Sequence, residues 1–123
     1  MTTDFIEKIK SFSKYFVGWK ENYTAEKGYY ESFRYTKDDH FIRISIDNQG
    51  WRGILEVKSK DKMIAYIMFG ECVELSEELD KNDIRKRILK QYKTNSKAMH
   101  PEIDLYIEFL VENGILTKPD DTI

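Results

Sequence analysis

From Phe5 to Phe16 the apolar residues keep helical spacing. Phe5, Ile9, Phe12 and Phe16 fall at i, i+4, i+7 and i+11, on one face of a helix, while Lys8, Lys10 and Lys14 lie mostly off that stripe. Asp4 is the expected N-cap, with Glu7 three residues on to complete a capping box, and Gly18 is the expected stop. The pattern then changes period. Tyr29 to Tyr35 is rich in β-forming residues, and His40 to Asp47 alternates, with Ile42, Ile44 and Ile46 on one side and Phe41, Arg43 and Ser45 on the other. Asn48-Gln49-Gly50 is a turn signal. Trp51 to Lys58 alternates again, grouping Trp51, Gly53, Leu55 and Val57, and Ser59-Lys60-Asp61-Lys62 is a second turn. Met63 to Phe69 is apolar on both sides, as a doubly covered strand would be. Gly53, inside a strand, signals a bulge or a close approach of backbone.

Two further helices are predicted. Ile84, Ile88, Leu89 and Tyr92 share a stripe that Asn82 or Asp83 can cap. The other starts at Pro101, carries Ile103, Tyr106, Phe109 and Leu110 on its apolar face, and stops at Gly114. The predicted fold class is α+β. It is a four-stranded antiparallel meander with one N-terminal and two C-terminal helices in two layers, the helices on one sheet face and the other face open. Residues 1–123 read as a single domain with a loose tail at 118–123, since no repeat or linker interrupts the chain.

Charge sharpens the picture. Twenty Lys and Arg against 22 Asp and Glu give −2, which argues against a duplex nucleic-acid binder and makes nucleic acid an unfavoured partner. Cys72 is the single cysteine, so no internal disulfide is expected and a reducing compartment fits. The first residues lack the basic and apolar regions of a signal peptide, no lipidation motif is present, and the longest apolar run is Met63–Phe69. A bilayer span needs about 20 apolar residues. The expectation is a cytoplasmic protein without a membrane partner.

No constellation for chemistry emerges. His40 and His100 precede different elements and Cys72 has no partner cysteine, so no zinc ligand set is expected, nor any cofactor. A Cys72–His100 dyad is disfavoured because Glu71 and Glu74 flank the thiol and would raise its pKa. The glycines form neither a P-loop nor a dinucleotide fingerprint. The chain is expected to be no enzyme.

Three features bear on binding. The open sheet face is expected to carry Phe41, Arg43, Ile54 and Glu56, joined by Tyr30, Arg34, Tyr66 and Met68, and Tyr, Met and Arg are favoured at interfaces. An acidic block, Glu71, Glu74, Glu77, Glu78, Asp80 and Asp83, can steer a basic partner. A basic helix with Arg85, Lys86, Arg87, Lys90, Lys93 and Lys97 follows it, as a solvated face or a phosphate binder. The candidate partner-binding residues are therefore Tyr30, Arg34, Phe41, Arg43, Tyr66, Glu71, Glu74, Glu77, Glu78 and Asp80.

In size, acidic block and aromatic-rich sheet the chain resembles small bacterial immunity proteins of polymorphic or contact-dependent toxin systems. The likeness is one of overall style and assigns no residue. It implies a non-enzymatic protein that neutralises a cognate toxin or effector by occluding it. Phage-encoded inhibitors of host defence proteins share this style. A single-stranded nucleic-acid binder, stacking bases on an open aromatic and Arg face, is the reading from another class. The sequence leaves the oligomeric state open.

Overall fold

The computed structural model describes residues 3–26, 30–47, 53–68, 71–75, 83, 86, 87, 90 and 101–119. Its elements are α1 (Thr3–Lys10), a 3-10 turn (Ser13–Phe16), β1 (Lys20–Glu26), β2 (Tyr30–Lys37), β3 (His40–Asp47), β4 (Gly53–Ser59), β5 (Lys62–Met68), β6 (Glu71–Leu75) and α2 (Pro101–Glu112). The strands form one antiparallel sheet in sequence order, β1 to β6. The α+β class thus holds, and the sheet is six strands wide rather than four.

Both additional strands were hidden by composition. Lys-Glu-Asn-Tyr-Thr-Ala-Glu in β1 offers only Tyr23 and Ala25 as apolar residues, and β6 brings two glutamates. An edge strand buries little and is held chiefly by backbone pairing to one neighbour, so its side-chain pattern is faint. Residues 71–75, where the acidic block begins, pair with Met68 to Ala65 across a register shift at Tyr66/Ile67. Cys72 accordingly lies within a strand.

The N-terminal helix is shorter than its stripe. Ser11 N–H still reaches the Glu7 carbonyl at 3.0 Å, but Phe12 N–H bonds Ile9 at 2.9 Å and Tyr15 bonds Phe12 at 3.0 Å, so the spacing tightens from four residues to three. The Ser11 hydroxyl also bonds back to the Lys8 carbonyl, competing with helix continuation. Phe16 still reaches the core, stacked on Tyr35 with ring centroids 3.8 Å apart. Asp4 stands inside α1 rather than capping it, because the helix starts at Thr3. Gly18, at φ +89°, follows the 3-10 turn.

The tight connections are two-residue hairpins. Lys37 pairs with His40 and Ser59 with Lys62, leaving Asp38-Asp39 and Lys60-Asp61 as the loops. Lys60 and Asp61 both have positive φ, as a type I′ turn requires.

Helix α2 ends in a Schellman motif. Gly114, at φ +73°, donates to Val111 while Ile115 N–H reaches back to the Leu110 carbonyl at 2.9 Å. The expected stripe Ile103, Tyr106, Phe109 and Leu110 is buried. Of the preceding helix, Asp83, Lys86, Arg87 and Lys90 are helical, while its stripe Ile84, Ile88, Leu89 and Tyr92 lies outside the described residues. The 118–123 tail shows no regular structure at Lys118 and Pro119, its described part.

One sheet face carries the core. Phe33, Tyr35, Ile42, Ile44, Ile46, Leu55, Val57, Ala65 and Ile67 are buried together with Phe5 and Ile9 of α1 and the α2 stripe. At Gly53 the buried Tyr106 hydroxyl of α2 donates to the carbonyl at 2.9 Å, and the register shift of β4 falls at Val57/Lys58. Lys8 bonds Asp104 at 2.6 Å and ties α1 to α2.

Candidate binding face

Side chains alternate along a strand, so register decides what shares the outer face. Across the strands one row runs Asn22, Arg34, Arg43, Glu56, Tyr66, Glu74, and the next runs Thr24, Ser32, Ser45, Ile54, Met68, Glu71. A third joins Lys20, Thr36, Phe41 and Lys58. Tyr30 pairs with Glu26 and Asp47 at one margin. Residues expected on one face from period-two counting, Tyr30, Arg34, Phe41, Arg43, Ile54, Glu56, Tyr66 and Met68, thus do hold outer-face positions. Lys20–Glu26 extend the sheet as β1.

The centre of the face is a polar network. Arg43 Nε donates to Glu56 Oε1 at 2.9 Å, with both side chains largely screened from water at 19% and 14% exposure. Arg43 Nη1 donates to Ser45 Oγ at 2.9 Å, and Ser45 Oγ donates to Ser32 Oγ at 2.8 Å. Lys58 Nζ stands 3.8 Å from Glu56 Oε2 on the far side. Ser32 and Ser45 are buried on this face, Ser45 bonded to both the Arg43 guanidinium and Ser32. Thr24, opposite Ser32, has its Oγ1 buried without a hydrogen-bond partner among the described residues.

Arg34 contrasts with Arg43. It is exposed, stands directly across from Arg43, and among the described residues makes no ion pair or hydrogen bond. Like charges facing each other across strands are unfavourable, and Glu56 compensates only one of the two. Around them Phe41 and Tyr66 are half-buried and Tyr30 is 39% exposed. The result is a half-covered, partly aromatic surface on which Arg34, unpaired among the described residues, stands across the ladder from the braced Arg43.

The acidic block divides. Glu71 and Glu74 lie in β6, at register positions opposite Met68 and Tyr66, so the strand brings them to the same sheet as the arginines. Glu77, Glu78 and Asp80 lie outside the described residues. The basic helix is corrected at Arg87, which is committed within the chain: it bonds Glu112 at 2.6 Å and Glu108 at 2.8 Å, with Asp83 3.9 Å away. Burial works against its charge, but Glu112 and Glu108 hold its pKa above the usual value. It is not open to phosphate. His40 sits beside Trp19, with rings 6.4 Å apart, and His100 lies outside the described residues. Among the described residues no group of three His, Cys, Asp or Glu side chains is placed to hold a metal ion, and no helix is long and apolar enough to cross a membrane.

Sequence reasoning missed the serine ladder and the contribution of β1. Ser32 and Ser45 carried a signal in their even spacing from Arg34 and Arg43, but Asn22, Thr24 and Lys20 carried none, because β1 was not visible as a strand. No family model matches the chain, and no curated protein or solved structure matches it.

Proposed function

We propose that the chain is a non-enzymatic binding protein that uses its outer sheet face to occlude a protein partner, in the manner of an immunity protein covering a toxin. The observation that carries this reading is the exposed Arg34, unpaired among the described residues and across the ladder from the braced Arg43–Glu56 pair, on the sheet face that also holds Tyr30, Phe41 and Tyr66. An arginine so placed gains charge-assisted hydrogen bonds when a carboxylate or carbonyl arrives, and the aromatic residues of the same face supply apolar area with little ordering cost. The ion pair and serine ladder hold the surface in shape beforehand, which lowers the cost of association.

A protein partner fits better than a single nucleic-acid strand. Acidic residues are spread through the same sheet, at Glu56 in its centre and at Glu71 and Glu74 along β6, and negative charge there would repel a phosphate backbone. A basic partner cleft is suited to the β6 glutamates, and a carboxylate on its rim to Arg34. The test is co-purification with the product of the adjacent gene, followed by calorimetric titration of the parent and of Arg34→Ala. Loss of about 2 kcal/mol, roughly thirtyfold in Kd, is expected. Equal affinities would remove the outer face as the interface, and tight binding of an oligonucleotide by the parent would favour the nucleic-acid reading.

A further inference from the structure

The sheet ends at β1, whose outer edge is unpaired among the described residues. An unpaired edge is a template for another strand unless charges, proline or a covering element blunt it. Here the charges are unequal. Glu21 is engaged inside the chain, by Lys10 at 2.7 Å and by the Tyr35 hydroxyl at 2.8 Å. Tyr23 donates to Glu31 at 2.6 Å and remains 40% exposed. That leaves Lys20 and Glu26, at opposite ends of the strand, both exposed and both without an ion-pair partner among the described residues.

We propose that β1 pairs with β1 of a second copy of this chain, antiparallel about a two-fold axis through Tyr23. That register aligns all seven residues and sets Lys20 opposite Glu26 twice, once at each end. It places Tyr23 opposite Tyr23 and Asn22 opposite Thr24. Neighbouring registers lose this match. An axis between Tyr23 and Thr24 brings Glu21 against Glu26, while an axis on Asn22 or on Thr24 shortens the ladder to five residues and separates Lys20 from Glu26. Opposite charges directly across an antiparallel pair are favourable and like charges are not, so this strand selects one register of itself. The contact is isologous, closes after two copies, and extends the two sheets into one. The outer face of each copy stays open, so the association stands whether or not that face binds a partner. A strand-edge contact is small and belongs to the weak class of interfaces.

Sedimentation equilibrium, with protein up to about 1 mM, tests it through charge swaps, since association this weak needs such loading. The parent is expected to dimerise, and more weakly as salt rises. Lys20→Glu and Glu26→Lys each place like charges at both ends and should raise the dimer Kd about tenfold or more. Mixing those two variants should recover dimers. In the mixed pair the introduced carboxylate of one chain faces the introduced ammonium of the other, and the unaltered Glu26 and Lys20 face each other at the opposite end. A chain carrying both changes should dimerise like the parent. Far-UV circular dichroism checks that every variant keeps the parent's fold. A parent that stays monomeric, single variants that dimerise as the parent does, or a mixture that stays monomeric would each overturn the proposal.

Discussion

The two faces of the sheet are built from the same strands by opposite rules. On the inner face Ile42, Ile44, Ile46, Leu55, Val57 and Ile67 are buried together with residues of α1 and α2, the Tyr106 hydroxyl donates to the Gly53 carbonyl, and at the margin Tyr35 donates to Glu21 and Tyr23 to Glu31. On the outer face the residues one position along are Arg43, Ser45, Glu56 and Lys58, joined by ion pairs and hydrogen bonds, with Arg34 left over. The inner face holds the fold by removing apolar area from water. The outer face contributes shape, because a half-buried ion pair returns little more than its desolvation cost. The alternation of the strands thus separates an apolar face from a polar, ion-paired one.

Leu55→Ala should break the inner face most strongly. Truncating a fully buried leucine costs about 2–5 kcal/mol, to be read as a lower urea midpoint, and an unchanged midpoint would contradict the assigned core.

On the outer face Arg43→Ala should cost about 1–2 kcal/mol, because Glu56 would keep its partly buried charge without a partner. Arg43→Met with Glu56→Leu should recover most of that loss. If the double variant is as unstable as the single one, the pair contributes more than shape. Arg43 is for this reason a poor probe of binding alone.

Arg34→Ala should shift stability by no more than about 0.5 kcal/mol while weakening partner binding. A large loss of stability would mean that Arg34 has a structural partner, and the contrast between the two arginines would fail.

The smallest effects come from pH, at the margin of the inner face. Burial pushes the Glu21 carboxyl upward, but hydrogen bonds from Lys10 and Tyr35 outweigh it and hold the pKa below the usual 4.5. A lowered carboxyl pKa adds stability above its unfolded value and loses it as pH falls through the folded one. Glu21→Gln should therefore flatten the acid limb of a stability–pH curve. Tyr23 has the opposite sign. Burial and the Glu31 carboxylate push its pKa up to about 12, so its contribution is complete below pH 10 and fades as pH rises toward 12. Tyr23→Phe should flatten that alkaline limb, and an unchanged limb would show that the Glu31 bond is not formed in solution.

The sequence by itself determined the elements whose side chains carry a period. Ile42, Ile44 and Ile46 alternate, Ile103, Tyr106 and Phe109 follow a helix, and Pro101 and Gly114 bracket it, because burial of one face imposes a spacing that can be counted. The same counting placed Tyr30, Arg34, Phe41, Arg43 and Tyr66 together on the outer face. Only the tertiary structure decided that β1 and β6 exist, since edge strands are fixed by backbone pairing and not by side-chain pattern. It alone decided which arginine is braced and which is left unpaired among the described residues. Arg34 and Arg43 are equivalent in the alternation, but the register places Glu56 beside Arg43 and leaves Arg34 on the side of Asn22, where no carboxylate of the described residues pairs with it.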